Sequence, residues 1–298
     1  MTVVVIGDAN VDLEIRLPSD DGIVHANPDP VMSGGGSAAN TAAALARLEV
    51  PTRFVGAVGD DAAGQHAVDS LARIGVDVSA VRTTSAEPTV MVIVVLPPTG
   101  ERLIYVWPPR GGAHATLDVE TATAAVEDAD WIHVSGICLR VRPAREALFA
   151  AMERARDNGI PVSLDLNLRL ENWGWEAGFR QVALDAVGRA DIVLGSAFDE
   201  ISALTNDSDP TSAARSLGAG DRLVVARLGA DGAMAVTGRN VTRSAGFDVD
   251  VVDTVGAGDA FNAGFIAARL ERRPVEEALT WGNAVAASII GGHGARSG

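Results

Sequence analysis

The stretch DTVGAGDAFNAG, residues 253–264, combines a turn of small residues with an acidic residue at the start of a helical pattern. Gly256 and Gly258 permit a tight turn in which the backbone amides of residues 256–259 point into one concavity. The positive end of the following helix dipole adds to that field, so the turn favours anionic oxygens. Asp259 lies inside the same turn, where its carboxylate would repel an anionic ligand unless a hydroxyl group or a cation lies between them.

Two roles for Asp259 are compatible with this position. As a plain acid at a helix N-terminus, it would contribute about 0.3–1 kcal/mol through the dipole. As a general base, it would take a proton from a hydroxyl nucleophile, while the amides of Gly256, Ala257 and Gly258 stabilise the charge on a transferred phosphoryl group. The chemistry of the residues alone leaves both roles open.

A second glycine-rich turn, SGGGSAAN, leads into a strong helical pattern over residues 37–48, and Ser37 is expected as the N-cap of this helix. Gly34, Gly36 and Ala39 match the GxGxxG/A spacing of dinucleotide sites, but no strand directly precedes them. The glycines permit close backbone approach at a helix N-terminus, and Asn40 would point toward the same pocket. Three interpretations of this turn remain: a flexible loop with an N-cap, a substrate-binding elbow, and a dinucleotide site, which the pattern supports only weakly.

Composition excludes several classes of protein. All 24 basic residues are arginine, which rules out a Walker A lysine, a Schiff-base lysine and a lysine general base. The formal net charge of −15 disfavours nucleic-acid binding. Cys138 is the only cysteine, so an internal disulfide is impossible. This cysteine content is consistent with a protein of the reducing cytoplasm. Because no apolar run is long enough to span a bilayer and the start reads as a strand, we expect a cytoplasmic protein with no membrane partner.

Short apolar runs alternate with helical patterns along the chain, which predicts an α/β fold with a mostly parallel sheet covered on both faces. A hairpin outside this alternation of strands and helices is predicted for the runs TVMVIVVL and RLIYVW. An antiparallel edge of the sheet is predicted for GAMAVTG and FDVDVV. Ligands of such sheets bind at the carboxyl ends of the strands, and several polar or glycine positions directly follow predicted strands. These positions are Asn10, Asp12, Ser135, Asp165, Asn167 and Gly229.

Together, and in this order, the two glycine-rich stretches resemble the two signatures of the ribokinase-like, or PfkB, carbohydrate kinases. DTVGAGDAF matches the family pattern D-T-x-G-A-G-D-x-F, and GGGSAAN is similar to its N-terminal Gly-Gly signature. GDANVD resembles the opening strand and loop that hold sugar hydroxyls. The resemblance spans the chain and implies one kinase domain over residues 1–298, with a three-layer αβα core. It also implies a small β-sheet lid over the sugar, from about residues 13–33 and 87–110.

The resemblance implies a role for individual residues. Asp259 matches the catalytic base, and Gly256, Ala257 and Gly258 match the anion hole. The positions that match sugar-binding residues are Asn10, Asp12, Gly35, Gly36 and Asn40. The positions that match the nucleotide side are Gly229, Gly232, Asn283, Asp165 and Asn167. Arg169 lies in DLNLRLENW, which resembles a stretch of the fructokinase and 2-keto-3-deoxygluconate kinase branches, and would contact an anionic or polyhydroxy substrate.

ATP and Mg²⁺ are the cofactors that the resemblance implies, with a monovalent cation such as K⁺ in some members. Asp253 would help to hold the monovalent cation, and Glu200 would serve the metal. The family often carries N-x-x-E in the segment of Glu200, but here Ala197 stands at the position of the Asn. Either Asp199 or Ser196 compensates for the missing amide, or the metal dependence differs.

We therefore expect an ATP-dependent kinase that phosphorylates a hydroxyl group of a sugar or sugar-derived molecule, such as a ketose, an aldose or a keto-sugar acid. The alternatives are a nucleoside kinase of the same fold, a catalytically silent sugar- or nucleotide-binding sensor, and an NAD-dependent oxidoreductase. An exposed edge of the lid would favour a homodimer.

Overall fold

A computed structural model describes residues 1–17, 30–97 and 103–291 of the chain. The strands in this part are β1 (Val3–Ile6), β2 (Asn10–Arg16), β3 (Val31–Gly35), β4 (Thr52–Gly59), β5 (Asp77–Thr84), β6 (Met91–Leu96), β7 (Leu103–Trp107), β8 (Trp131–Ser135), β9 (Val162–Asp165), β10 (Ile192–Ser196), β11 (Leu223–Arg227), β12 (Ala233–Thr237) and β13 (Asn240–Ser244). The α-helices are α1 (Ser37–Arg47), α2 (Ala62–Ala72), α3 (Val119–Ala124), α4 (Ala144–Asp157), α5 (Leu170–Trp173), α6 (Phe179–Val187), α7 (Ala203–Thr205), α8 (Pro210–Leu217), α9 (Ala257–Leu270) and α10 (Val275–Ile290).

Nine strands form the main sheet, in the order β13-β12-β11-β10-β9-β8-β1-β4-β5. The strands from β11 to β5 are parallel, and β12 and β13 add an antiparallel edge. Two hydrophobic cores lie on opposite faces of the sheet, one under α1, α2, α9 and α10 and the other under α3, α4, α6 and α8. The structure thus confirms the predicted α/β fold with helices on both faces.

The central strands are apolar along their whole length, because both faces of a parallel sheet are covered. Residues 3–6 of β1, Val-Val-Val-Ile, are completely buried. On one face, α9 is buried from Asp259 to Ala268 and packs against both α1 and α10. Small residues in α1 and α9 permit this close approach, and it places the N-termini of the two helices side by side.

A second, four-stranded sheet has the order β3-β2-β6-β7 and confirms the small β appendage and the hairpin of β6 with β7. Strand β2 pairs with β6 in parallel and with β3 in antiparallel orientation. Residues 18–29 and 98–102 of the predicted lid segments lie outside the described residues. Among the helices that are described, none is both long and apolar enough to cross a membrane.

Three local predictions were wrong. Asn10 begins β2 rather than lying in a loop. Residues 247–252, FDVDVV, form no strand, because β13 takes the edge position through a two-residue hairpin loop in which Gly238 has a φ of 55°. The N-cap of α1 is Gly36 rather than Ser37, which is the first helical residue. Strand β5, which the sequence pattern did not indicate, pairs with β4 at the opposite edge.

Candidate active site

The N-termini of α1 and α9 meet at Asp259, whose carboxylate is held by side chains from α1. The Ser37 hydroxyl donates to Oδ1 of Asp259 at 2.6 Å, and Nδ2 of Asn40 donates to Oδ2 at 3.1 Å. Thr41 donates its hydroxyl to the backbone oxygen of Asp259 at 3.4 Å. Asp259 is 8% exposed, so its carboxylate is partnered by protein groups rather than surrounded by water.

The surroundings of Asp259 tune its proton affinity. Burial raises the pKa of Asp259 to about 7, and the negative charge of Asp165 acts in the same direction. The hydrogen bonds from Ser37 and Asn40 and the positive charge of Arg169 oppose this rise because they favour the carboxylate. A carboxyl group with a pKa near 7 is matched to proton transfer at neutral pH.

The start of α1 is held by a residue from another element. Gly36 has a φ of 98°, and a Cβ atom there would lie 2.7 Å from the backbone oxygen of Asp8. Asp8 follows β1, and its carboxylate accepts the amides of Ser37 at 2.9 Å and of Ala38 at 3.2 Å. Asp8 therefore caps α1 in place of a local side chain and leaves the Ser37 hydroxyl to donate to Asp259. Sequence reasoning missed this role, although a buried acid directly after the first strand was its signal.

The turn before α9 has the conformation that an anion site requires. Gly256 adopts a left-handed φ of 81° at the N-cap. The amide of Ala257 donates to the Thr254 carbonyl at 3.2 Å, so this amide closes the turn. Gly258 follows in the first turn of α9, where backbone amides generally have no partner within the helix. Asp253 supports the turn by accepting the amide of residue 255 at 3.1 Å.

The predicted sugar-side residues lie together where the two sheets meet. Asn10 of β2 is opposite Gly35 of β3, and its Nδ2 donates to Oδ1 of Asp12 at 3.0 Å. A Cβ atom on Gly35 would lie 2.6 Å from Oδ1 of Asp12, and one on Gly36 would lie 2.9 Å from Oδ1 of Asn10. Gly36 directly precedes Ser37, so this group of polar side chains adjoins Asp259.

A network of charged side chains lies at the carboxyl ends of β9, β10 and β11. Asp165 accepts hydrogen bonds from Arg227 at 2.9 Å and from Nδ2 of Asn262 at 2.8 Å. Arg227 also donates to Oδ1 of Asn262 at 2.7 Å and lies 3.4 Å from Oε2 of Glu200. Sequence reasoning missed Arg227 and Asn262. Their signals were a charged residue ending a buried strand and an amide one helical turn after Asp259.

Glu200 lies in a π-helical turn, Ala197–Ser202, directly after β10. Its two carboxylate oxygens accept the amides of Leu168 and Ser196, both at 2.7 Å. Burial and the charge of Asp165 raise the pKa of Glu200, and Arg227 opposes them. Ala197 is completely buried in the hydrophobic core, and Ser196 donates its hydroxyl to Asp199 at 2.9 Å.

Asn167 and Arg169 follow β9 and both adopt left-handed backbone conformations, with φ values of 38° and 48°. Nδ2 of Asn167 donates to the Ser135 hydroxyl at 3.3 Å, which links the ends of β8 and β9. The Arg169 side chain is 48% exposed and lies 3.8 Å from Glu171. Its positive charge opposes the rise in the pKa of Asp259.

Two of the predicted nucleotide-side residues, Gly232 and Asn283, lie against the end of β13, whereas Asp165 and Asn167 lie at and just beyond the end of β9. Gly232 has a φ of 90°, and a Cβ atom there would lie 2.3 Å from the Ser244 carbonyl. Asn283 of α10 donates to the carbonyls of Ala245 at 3.0 Å and of Ser244 at 3.2 Å. A cavity of about 530 Å³ borders the turn at residues 229–232 rather than Asp259. Its lining residues are Phe198, Asp209, Pro210, Thr211, Leu228, Asp231, Ala233, Arg243, Ser244 and Ala245.

A doubly covered α/β sheet, a small accessory sheet and a glycine turn at a helix N-terminus beside a buried carboxyl group are the features expected of a phosphotransferase that acts on small hydroxyl compounds. Comparison with known proteins supports this class of enzyme. The model of the pfkB family of carbohydrate kinases matches residues 1–298. The chain belongs to this family and is a carbohydrate kinase, an enzyme that transfers a phosphoryl group to a sugar or sugar-derived substrate.

Similar proteins act on several sugar derivatives. An ATP-dependent ribose-1-phosphate kinase from Halopiger xanaduensis is 37% identical over 295 residues, which is 98% of this chain and 92% of that protein. The aminoimidazole riboside kinase of Salmonella enterica, in complex with aminoimidazole riboside and an ATP analogue, superposes with a TM-score of 0.82 at 30% identity and covers 100% of this chain and 96% of its own. A Vibrio cholerae fructokinase double mutant, bound to fructose, ADP and a potassium ion, has a TM-score of 0.82 at 29% identity, with coverages of 99% and 94%. These neighbours confirm the ribokinase-like fold.

Proposed function

We propose that this enzyme transfers the γ-phosphoryl group of ATP to a hydroxyl group of a sugar or sugar-derived substrate, with Asp259 as the general base. The observation that carries the proposal is the buried Asp259 carboxyl group, with a pKa of about 7, in the first turn of α9. Asp259 takes the proton of the attacking hydroxyl, and the amides of Gly256 and Gly258 stabilise the oxygens of the transferring group. This arrangement answers why a carboxylate lies in an anion-binding turn, because a hydroxyl group comes between them.

The acceptor side is polar and carries one exposed cation. Asn10, Asp12 and Asn40 offer hydrogen-bond partners for a polyhydroxy compound, and Gly35 and Gly36 let it approach the backbone. Arg169 adds a positive charge that suits a carboxylate or phosphate on the substrate. The similarity to a ribose-1-phosphate kinase supports the inclusion of sugar phosphates among the candidates.

A coupled ADP-release screen tests the proposed acceptor. Ketoses, aldoses, keto-sugar acids, sugar 1-phosphates and nucleosides are compared at one ATP concentration, and we expect one class to give a kcat/KM far above the ATPase background. Nucleosides are the second candidate, because the aminoimidazole riboside kinase matches 100% of this chain. ADP release that none of these acceptors stimulates would contradict the proposed acceptor classes and the proposed role of Asp259.

For the nucleotide we propose the region around Gly229, Gly232 and Asn283. The cavity of about 530 Å³ beside the glycine turn supports this placement. Asp165 and Asn167, at and just beyond the end of β9, lie toward the phosphates in the proposal. Asn283 holds the carbonyls at the end of β13, so it shapes the wall of this region rather than donating freely to a base.

Magnesium is the divalent cation that we propose to accompany ATP. The described residues contain no group of three or more His, Cys, Asp or Glu side chains placed to hold a metal ion. Mg²⁺ generally keeps several waters and binds through one or two carboxylates together with the substrate phosphates. A magnesium ion that arrives with the nucleotide therefore fits these residues, with Glu200 acting through water because its oxygens already accept two backbone amides.

A monovalent cation beside the anion-binding turn is the second ion in the proposal, and Asp253 is its candidate ligand. The fructokinase neighbour contains a potassium ion, which supports testing K⁺ first. Turnover measured in KCl against an equal concentration of NaCl separates a specific effect from ionic strength. A cytoplasmic location, where ATP is abundant, remains our prediction from the single cysteine, Cys138, which is buried.

The four-stranded sheet is proposed to act as a lid and as a dimer interface. All five residues of β7 are exposed, although every one is apolar or aromatic; Ile104, for example, is 60% exposed. An edge strand with this composition pairs readily with another chain. A second copy of this chain is the proposed partner, and closure of the lid over the acceptor would exclude water and limit ATP hydrolysis.

A further inference from the structure

The cation next to the anion-binding turn is Arg227, the last residue of β11, whose side chain is only 17% exposed. We propose that Arg227 is a positioning residue for phosphoryl transfer, which holds the first turns of α9 against the strand ends and compensates the carboxylates of Asp165 and Glu200. The inference rests on the proposed reaction at Asp259. It also names the side chain that supplies positive charge to this part of a chain without lysine.

Arg227 closes a ring of hydrogen bonds between three elements. Its guanidinium donates to Oδ1 of Asp165 at 2.9 Å and to Oδ1 of Asn262 at 2.7 Å. Asn262 in turn donates to Oδ2 of Asp165 at 2.8 Å. Since Asn262 is one helical turn from Asp259, the ring sets the position of α9, and with it the catalytic carboxyl group, relative to β9 and β11.

The guanidinium also lies against the anion-binding turn itself. A Cβ atom built on Gly258 would be 3.4 Å from Cζ of Arg227 and 3.6 Å from its Nε. The guanidinium is therefore within van der Waals reach of the backbone whose amides face the phosphoryl group in the proposed reaction. A planar, permanently charged fork is suited to this position, because it can bond two acceptors while remaining charged when buried.

The balance of charge explains why the site needs this cation. Asp165 and Asp259 are buried, the Glu200 side chain beside Arg227 is 12% exposed, and the nucleotide brings further negative charge. With Arg227 removed, Asp165 and Glu200 would lose their shared partner and would repel the phosphates across a poorly solvated space. The effect is expected in the transition state more than in substrate binding, because charge develops on the transferring group.

A purely structural ion pair is the competing explanation, and the same strand provides a matched control. Arg222 directly precedes β11 at its opposite end and donates to three carbonyls, those of Ala190 at 2.9 Å, residue 217 at 2.9 Å and residue 188 at 3.3 Å. Arg222→Met removes a comparable set of hydrogen bonds from the same strand without touching the site.

The experiment compares the wild type with Arg227→Met, Arg227→Lys and Arg222→Met, using the best acceptor from the ADP-release screen. Melting temperature, kcat and the KM values for ATP and acceptor are measured for each. We expect Arg227→Met to lower kcat on the order of 100-fold, the scale of a small misplacement of catalytic groups, with the acceptor KM little changed. Arg227→Lys should recover part of kcat, and Arg222→Met should lower only the melting temperature.

Chemical rescue gives a second test that does not depend on the methionine variant folding. Millimolar guanidinium chloride should raise the kcat of Arg227→Ala and should leave the wild type and Arg222→Met unchanged. A kcat of Arg227→Met within about threefold of wild type, or an Arg227→Lys variant with wild-type kinetics together with no rescue of Arg227→Ala, would overturn the inference. A wild type that turns over no acceptor would contradict the proposed function instead. The two failures are distinguishable, because failure of the inference appears only in the Arg227 variants and failure of the proposed function appears already in the wild type.

Discussion

At the scale of single residues, Asp259 shows how protein groups at two helix N-termini tune the proton affinity of a carboxylate. Burial disfavours its charged form, whereas Ser37 and Asn40 donate to it and limit the rise of the pKa to about 7. The hydroxyl of the acceptor must share or replace one of these donors to reach the carboxylate. The donors therefore decide both the pH range of the base and its orientation.

Asp259→Asn should lower kcat by a factor on the order of 10³ while ATP binding is retained, because the amide cannot accept the proton. The measurement is kcat in the ADP-release assay together with ATP affinity by calorimetry. Asp69→Asn, on the exposed side of α2, serves as the control with the same chemical change. Near-normal turnover of Asp259→Asn would show that another group is the base.

Asp259→Asn should also change the stability of the protein, and the size of this change should depend on pH. The folded pKa of Asp259, about 7, exceeds its ordinary value, so the native state binds the proton more tightly and loses stability as the pH rises toward 7. Asn carries no such charge, so the melting temperature of Asp259→Asn relative to wild type should be higher at pH 8 than at pH 5. Thermal melts at the two pH values measure this, and an unchanged difference would mean that the pKa of Asp259 is not raised.

Ser37→Ala should move the acidic limb of the kcat/KM profile to higher pH. In the wild type this limb is expected near pH 7, where Asp259 becomes protonated. The hydroxyl of Ser37 stabilises the carboxylate, so its removal raises the pKa of Asp259 further. Thr41→Val is the matched control, because Thr41 bonds the backbone oxygen of Asp259 and not its carboxylate. An acidic limb that stays in place in Ser37→Ala would contradict this account of the pKa.

At the scale of elements, the entry into α1 has a backbone conformation that glycine adopts readily and other residues do not, and this serves the site. Gly36 combines a left-handed φ with close contacts to Asp8 and Asn10, and the cap of α1 comes from Asp8 rather than from a neighbour in sequence. Alanine and glycine in α1 and α9 then let the two helices approach, so that side chains from one reach the first turn of the other. The position of Ser37 against Asp259 thus depends on the backbone of the preceding turn.

Gly36→Ala and Gly75→Ala separate backbone strain from damage to the site. Both glycines have positive φ values, 98° and 89°, but a Cβ atom at Gly75 would meet nothing within 4 Å. We expect Gly75→Ala to lose about 1–2 kcal/mol of unfolding free energy with normal kcat. Gly36→Ala should lose more stability and also much of its kcat, since the added methyl group displaces Asp8 and α1. Denaturant unfolding and kcat give the comparison, and equal kcat in the two variants would contradict it.

At the scale of the whole molecule, the two sheets carry different groups of the candidate site. The main sheet brings Asp165, Glu200, Arg227 and the start of α9 to one edge, whereas the small sheet carries Asp12 and the apolar surface of β7. Asn10 and Gly35 lie at the junction of the two sheets, so a movement of the small sheet would directly change the acceptor side of the site. The exposed apolar strand β7 is the feature of this surface that most needs a partner.

Ile104→Lys should convert the proposed homodimer to a monomer, because it places a charge on the exposed edge of the lid sheet. Sedimentation velocity of the wild type and the variant measures the change. Val241→Lys is the control, since Val241 is an exposed apolar residue of β13, the edge of the main sheet. A monomeric wild type, or a dimer in Ile104→Lys, would remove β7 as the interface.

Most of the fold and part of the site follow from local sequence patterns. Buried strands such as β1 and β8, and helices such as α4 and α9, appear as apolar runs of the correct period, and the two glycine-rich signatures mark Asp259 and Gly36. The failures are also local: residues 247–252 alternate like a strand, but a tight turn at Gly238 gives the edge to β13. Competition between two candidate edge strands depends on turn geometry, which periodicity does not report.

The sequence by itself determined the chemistry available to this protein: an acid in a small-residue turn, no lysine, and a polar group after each central strand. Only the tertiary structure decided which of these groups act together. Ser37 and Asp259 are 222 residues apart in the chain, Arg227 and Asp165 are 62 apart, and Asn262 and Asp165 are 97 apart. Parallel strands gather their carboxyl ends at one edge whatever their separation in sequence. Asp259, its hydrogen-bond donors and Arg227 therefore meet only once the sheet and its two central helices have packed.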